Sequence, residues 1–198
     1  MDSERTGYIK RATSETEIEI SINLDKKGQY TINTGIPFLN HLLEAFAKHG
    51  GFNLTVYAQG DIEVDFHHLV EDIGIALGKV LAKALMDKSG IKRYSTVHIP
   101  MDESLVRVSI DISGRSYLNY NVELNNKMIL HFDGDLIEEF FRGFVQNASI
   151  TMHIDKIRGK NSHHILEAIF KAFGIALKDA VSIKDSEGDI PSTKGIIE

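Results

Sequence analysis

The stretch HHLVEDIGIALGKVLAKAL, residues 67–85, recurs later in the chain as HHILEAIFKAFGIALKDAV, residues 163–181. Aligned without a gap, the two segments share eight of nineteen residues, including both histidines and the glutamate. Chance at ordinary residue frequencies gives about one or two identities over this length. Internal duplication is the simplest explanation, and it predicts that the chain folds as two copies of one unit.

The segments around the two copies also occur in matching order. Each half begins with an alternating apolar and polar segment, TEIEISINL (16–24) or SLVRVSIDI (104–112), which is typical of a half-buried strand, and Glu15 or Glu103 stands just before it. In each half a second strand (29–34, 115–124), a helix (37–50, 135–148), a third strand (52–58, 149–154) and the HHxxE helix follow. We therefore predict an α+β fold of two half-domains, 1–90 and 91–198, each a small sheet with helices on one face.

Composition excludes several classes of protein. The 198 residues include no cysteine, so there is no disulfide framework and no thiolate metal site. No apolar run approaches the length that crosses a bilayer, and the N-terminal segment has no signal-peptide pattern. A net charge of −6 without a basic block argues against nucleic-acid binding. We expect a cytoplasmic protein with neither a membrane nor a nucleic-acid partner.

The HHxxE motif has the spacing of a metal-binding turn. Residues four apart lie on one face of a helix, so His67 and Glu71 can bind one ion together, while His68, about 100° away, serves a different ion. The second copy repeats this arrangement, and each lone histidine can complete the other copy's pair. The six predicted ligands are His67, His68, Glu71, His163, His164 and Glu167. Imidazole and carboxylate together suit Mn²⁺, Fe²⁺, Zn²⁺, Co²⁺ or Ni²⁺.

A third pair of equivalent positions also carries ligand types. His41 lies fifteen residues before Val56, and Glu139 lies fifteen residues before Ile154. Adding them makes four protein ligands per ion and leaves room for substrate or water. A single HHxxE is more often the start of a surface helix whose glutamate favours the helix dipole. Two copies at equivalent places favour metal binding, because adjacent histidines are poor core residues.

Six motifs occur in order along nearly the whole length of the chain. They are RATSETEI (11–18), TGIPFLNHLLEAFAKHG (34–50), GDIEVDFHHLVEDIGIALG (60–78), MDESLVRVSIDISGRSYL (101–118), GKNSHHILEAIFKAF (159–173) and IPSTKG (190–195). Together they resemble the imidazoleglycerol-phosphate dehydratase family. The resemblance implies two half-domains packed with pseudo-twofold symmetry, each a roughly four-stranded mixed sheet with two helices. It also implies a homo-oligomer of twenty-four subunits with sites at the subunit contacts.

The resemblance further implies two Mn²⁺ ions per active site. One ion takes His41, His68, His163 and Glu167, and the other takes His67, Glu71 and His164. The sequence departs from the family at three positions. Glu139 stands where many members have a histidine ligand, Ala45 replaces a glutamine, and Asn40 replaces an aspartate.

By resemblance, the reaction converts D-erythro-imidazole glycerol phosphate to imidazole acetol phosphate and water in histidine biosynthesis. Metals on the two ring nitrogens favour the imidazolate, which expels the adjacent hydroxyl, and the base Glu15 takes the neighbouring proton. Asp102 is a weaker candidate for proton handling. The residues implied to bind substrate and its phosphate are Glu15, His49, Arg93, Arg115, Lys171, Ser192, Thr193 and Lys194.

Two other functions fit the same ligands. One is a dinuclear metal-dependent hydrolase of a phosphate ester, which predicts phosphate release and basic residues close to the metals. The other is a noncatalytic assembly in which metal ions only join subunits. Without the resemblance, Glu15 is more simply interpreted as a solvated charge at the end of a strand.

Overall fold

The computed structural model describes residues 4–184 and 189–197. The first half contains β1 (Thr6–Ala12), β2 (Thr16–Asn23), β3 (Tyr30–Asn33), α1 (Pro37–Gly50), β4 (Asn53–Gly60) and α2 (His67–Ala84). The second half contains β5 (Tyr94–Met101), β6 (Ser104–Asp111), β7 (Tyr117–Asn121), β8 (Met128–Ile129), β9 (Phe132–Asp133), α3 (Leu136–Ala148), β10 (Thr151–Arg158) and α4 (Ser162–Ala180). The predicted boundary between residues 90 and 91 falls in the segment between α2 and β5.

The two halves build the same sheet. The first sheet has the order β1-β2-β4-β3 and the second has the order β5-β6-β10-β7. In each sheet, the last two strands of this order are parallel to each other, and the other neighbouring strands are antiparallel. The predicted α+β fold of two mixed four-stranded half-domains is confirmed. The first strand of each sheet, β1 or β5, and the β8–β9 hairpin were not predicted from the residues.

The core lies between the inner sheet faces and the helices. Alternation along β2 buries Ile18, Ile20 and Ile22 toward α2, as the period of two requires. Helix α4 packs in the same way on β5 and β6. The helices also pair across the halves, α2 with α3 and α1 with α4. No helix in residues 4–184 or 189–197 combines the length and apolarity needed to cross a bilayer.

Equivalent glycines bring the paired helices into backbone contact. A Cβ at Gly174 on α4 would lie 2.4 Å from the carbonyl oxygen of Phe46 on α1. A Cβ at Gly78 on α2 would lie 2.4 Å from the carbonyl oxygen of Phe144 on α3. Gly78 and Gly174 are aligned in the internal repeat, so the two contacts are related by the pseudo-twofold axis. Only glycine permits this approach, and it holds α1 close to α4 along the segment that carries ligand side chains.

Candidate active site

One group of metal-ligand side chains is assembled between α1 and α4. His41 comes from α1, and His163 and Glu167 come from α4. Glu167 Oε2 lies 3.1 Å from His41 Nε2 and 3.2 Å from His163 Nε2. One ligand atom from each residue lies within 4.8 Å of the other two. We call this set the α1–α4 group, and among the described residues it is the one set of three that can hold an ion.

Local hydrogen bonds fix the helix segments that carry this group. Asn161 caps α4, because its side-chain oxygen accepts from the backbone amides of His163 and His164. At the start of α1, Asn40 Oδ1 accepts from the amide of Thr34 at 2.9 Å and from its hydroxyl at 2.6 Å. The two histidines of the group are therefore presented from anchored helix ends.

The chemistry of the α1–α4 group fits a divalent metal ion. His41 Nε2 is buried and has no hydrogen-bond partner among the described residues, although Glu167 is near. Burial raises the pKa of the Glu167 carboxyl, but the hydrogen bond from Lys171 and the close contact with His41 outweigh it and lower the pKa to about 2. Lys171 Nζ contacts the other oxygen, Oε1, at 2.8 Å. An ionised carboxylate and two imidazoles match the ligand types of Mn²⁺ or Zn²⁺.

The predicted pair on α2 is also present. His67 Nε2 and Glu71 Oε2 lie 3.7 Å apart on one face of the helix. Their side chains are 44% and 42% exposed, so both are open to solvent in the isolated chain. Among the described residues, no third ligand type meets them as His41 meets the α4 pair.

The two remaining histidines are held by carboxylates through Nδ1. His68 Nδ1 lies 3.0 Å from Asp61 Oδ2, and His164 Nδ1 lies 2.8 Å from Glu103 Oε2. The Asp61 contact raises the pKa of His68, and the His164 contact, together with backbone donors, lowers the pKa of Glu103. A proton on Nδ1 leaves Nε2 as the ligand atom.

The proton-handling candidates lie beside these histidines. Glu15 is half exposed, and its Oε2 lies 4.0 Å from His68 Nδ1. Its backbone carbonyl accepts from the amide of Asp61, which places it next to the start of α2. Asp102 is 80% exposed in the β5–β6 turn, and its Oδ2 lies 3.8 Å from His164 Nδ1. Both are within reach of an HHxxE motif.

Five of the predicted substrate-binding residues line one open cleft of about 1010 Å³. They are Arg93, Arg115, Ser192, Thr193 and Lys194. The guanidinium of Arg93 is already engaged, since it binds Asp111 at 2.7 Å and the carbonyl of Pro191 at 2.7 Å. Arg93 thereby joins the C-terminal segment to β6, and Arg115 and Lys194 are the other cations that line the cleft.

Lys171 and His49 do not line this cleft. Lys171 contacts Glu167 in the α1–α4 group. Burial lowers the pKa of His49, and the positive charge of Lys171 lowers it further. Within one chain, the predicted substrate contacts are thus divided between the cleft, the surroundings of the α1–α4 group and Glu15 beside His68.

Comparison with known proteins identifies the family. The family model described as imidazoleglycerol-phosphate dehydratase matches residues 34–177. The chain belongs to the imidazoleglycerol-phosphate dehydratase family. The family predicted from the six motifs is confirmed, and with it the prediction of an enzyme, a dehydratase.

Relatives named imidazoleglycerol-phosphate dehydratase match over their whole length. The one from Caldanaerobacter subterraneus subsp. tengcongensis is 52% identical over 193 residues, which covers 98% of this chain and 100% of the relative. The one from Clostridium kluyveri is 53% identical over the same shares. The crystal structure of the family member from Staphylococcus aureus is 47% identical, has a TM-score of 0.83, and covers 90% of this chain and 99% of that chain. The member from Pyrococcus furiosus is 38% identical with a TM-score of 0.81, covering 95% and 99%.

Glu139, the ligand predicted on α3, is ion-paired on its own helix. Its Oε2 lies 3.3 Å from Arg142 Nε. Arg142 also contacts Glu138 at 2.6 Å. Glu139 is outside the α1–α4 group, and its role as a ligand stays a prediction.

Sequence reasoning missed Asp61 and Glu103 as site residues. Glu103 was noted only for its place before a strand. The available signal was a carboxylate inside the motif segments GDIEVDFHH and MDESLVRV, outside the helical HHxxE spacing. Loop carboxylates meet the histidines through the fold, so local periodicity does not reveal them.

Proposed function

We propose that this chain catalyses the dehydration of D-erythro-imidazole glycerol phosphate to imidazole acetol phosphate in histidine biosynthesis, in the cytoplasm. The observation that carries the proposal is the α1–α4 group, in which two imidazoles and an ionised carboxylate converge around a buried, unpartnered nitrogen. The relatives bearing this enzyme's name extend over nearly the whole chain.

Two Mn²⁺ ions per site are the proposed cofactor. His41, His163 and Glu167 hold one ion, with His68 as a further ligand. His67 and Glu71 hold the other, with His164. When bound, the ions supply Lewis acidity that favours the ionised imidazole ring of the substrate and a template that orients it.

We also propose that each site forms between subunits of a twenty-four-subunit homo-oligomer. The support is the incompleteness of the sites in one chain. The described residues assemble three ligands in the α1–α4 group and leave the His67–Glu71 pair exposed. His68 and His164 present Nε2 away from their carboxylates, as ligands for an ion shared with another copy.

Residues of the chain itself supply the base for the elimination and the cations that bind the phosphate. Glu15 takes the proton from the carbon next to the ring-bearing carbon, and that electron pair becomes the new C=C bond. The hydroxyl on the ring-bearing carbon leaves with its bonding pair, is protonated and departs as water. The resulting enol becomes the ketone when its hydroxyl loses a proton and the ring-bearing carbon gains one. Arg115 and Lys194 are the proposed phosphate-binding cations, and the support for this is that both line the same cleft.

The test is turnover by the purified, metal-stripped full chain. Imidazole glycerol phosphate is added with and without Mn²⁺, and ketone and free phosphate are followed together. The proposal expects ketone only with metal, and no phosphate. Phosphate release indicates the hydrolase instead, and metal binding without either product indicates a noncatalytic assembly.

A further inference from the structure

The carboxylate of Glu103 is fully engaged at the start of α4. Its Oε2 contacts His164 Nδ1 at 2.8 Å. Its Oε1 accepts from the amide of Asn161 at 2.8 Å, the amide of Lys160 at 3.2 Å and the hydroxyl of Ser104 at 2.9 Å. One side chain therefore joins the β5–β6 turn, the N-terminus of α4 and a histidine ring.

The equivalent carboxylate in the first repeat behaves differently. Glu15 precedes β2 as Glu103 precedes β6, yet it lies 4.0 Å from His68 Nδ1, beyond hydrogen-bonding distance. Asp61 takes that position instead, at 3.0 Å. The duplicated carboxylates have therefore diverged, and one is bound to its histidine while the other is not.

We propose that Glu103 is a positioning residue that orients His164 for metal binding, and that Asp61 does the same for His68 and so releases Glu15 for proton transfer. The inference rests on the proposed metal-dependent dehydratase. The different roles of Glu103 and Glu15 explain how metal ligands related by pseudo-twofold symmetry can act on an asymmetric substrate. A carboxylate that accepts four hydrogen bonds is a poor and immobile base, whereas Glu15 is half exposed and able to move.

The direction of the His164–Glu103 hydrogen bond makes the role testable. As an acceptor, the carboxylate keeps the proton on Nδ1 and leaves the Nε2 lone pair for the metal. In Glu103→Gln, the amide oxygen still accepts from Asn161 and Lys160, and the amide NH₂ faces His164 Nδ1. Nδ1 must then accept, which moves the ring proton to Nε2 and blocks ligation. Turning the amide around would leave the two backbone amides without an acceptor.

The experiment measures Mn²⁺ binding, not turnover alone. The metal-free full chain is titrated with Mn²⁺, and free Mn²⁺ is followed by electron paramagnetic resonance. Glu103→Gln is expected to weaken one class of Mn²⁺ site about 10- to 100-fold. Because the two backbone acceptors are kept, the melting temperature of the metal-free protein should stay close to wild type. Glu123→Gln, an exposed carboxylate in the loop after β7, is the matched control and should bind Mn²⁺ like wild type.

Two further variants separate the alternatives. Asp61→Ala removes the acceptor of His68 Nδ1 at a place where no helix amide depends on the carboxylate in the described contacts, so a folding defect in Glu103→Gln does not end the test. It should weaken Mn²⁺ binding to a similar extent. Glu15→Gln should keep Mn²⁺ affinity and lose turnover. Wild-type Mn²⁺ affinity in both Glu103→Gln and Asp61→Ala overturns the inference. If the variants bind Mn²⁺ more weakly but the wild-type protein makes no ketone, the positioning role is supported and the proposed reaction is refuted.

Discussion

The contact between α4 and α1 at Gly174 sets the spacing of the α1–α4 group. His41 lies five residues before Phe46 on α1, and Glu167 lies seven residues before Gly174 on α4. Because helices are stiff over this distance, separating the two backbones at Gly174 moves the histidine away from the carboxylate. Gly174→Ala is therefore a test that joins packing to metal binding.

The size of the effect follows from the geometry. The new Cβ would lie 2.4 Å from the Phe46 carbonyl oxygen and 2.9 Å from the Gly50 amide nitrogen, whereas real Cβ contacts essentially never fall below 3.0 Å. Helix α1 must retreat by at least 0.6 Å (3.0 less 2.4). Overpacking against rigid backbone costs about 3 kcal/mol, the upper end of the usual range, and alanine in place of glycine returns about 1 kcal/mol of helix propensity. The net loss of about 2 kcal/mol corresponds to a melting temperature lower by about 4–8 °C.

The assay is thermal unfolding of the metal-free protein followed by circular dichroism, and then a Mn²⁺ titration. Lys178→Ala, at an exposed position of α4, is the control and should leave both measurements near wild type. Gly174→Ala should melt lower and bind Mn²⁺ more weakly. A melting temperature at or above that of wild type would refute the reasoning, because it would mean that α1 and α4 tolerate the added methyl group.

Three other predictions address the base, a buried ion pair and the pH dependence of stability. Glu15→Gln should lower ketone formation about 100- to 10,000-fold, the usual contribution of a general base, with unchanged assembly on gel filtration; full turnover would exclude Glu15 as the base. Asp72 is buried on α2 and accepts from the Thr16 hydroxyl at 2.6 Å. Asp72→Ala should lower the free energy of unfolding by about 1–3 kcal/mol in urea titrations, because the Thr16 hydroxyl and the guanidinium of Arg11 lose their acceptor. An unchanged urea midpoint would contradict this. Hydrogen bonds from Lys92 and Ser95 lower the pKa of Asp179. A carboxyl whose pKa is lower in the folded state than in the unfolded state stabilises the fold at pH values above the unfolded pKa, which is near 4. That stabilisation is lost as the pH falls through the folded-state pKa. Asp179→Asn should therefore cost stability at pH 7, and the cost should shrink as the pH falls below 4; a cost that does not change with pH would show that the ion pair is not responsible.

The strands that sequence reasoning missed are those with weak patterns. Strand β1 lies at the edge of its sheet and buries one residue fully, Gly7, so it lacks a run of alternating apolar side chains. Strand β5 is also an edge strand, and it contains Pro100, which is typical of edges and reads as a break in a strand. By contrast, β2 and β6 are interior strands with a clean alternation, and they were predicted from it.

The sequence by itself determined the duplication, the α+β class and the pairs His67–Glu71 and His163–Glu167. The helical period places residues four apart on one face whatever the rest of the chain does, so a local rule is enough. Residue spacing did not pair His41 with Glu167, which only the family resemblance implied, and the tertiary structure shows the contact. Only the tertiary structure decided that Glu103, not its repeat counterpart, holds its histidine. These contacts join residues far apart in the chain. They depend on how closely two backbones can pack and on which loop carboxylate reaches a ring nitrogen first, and no sequence spacing encodes those distances.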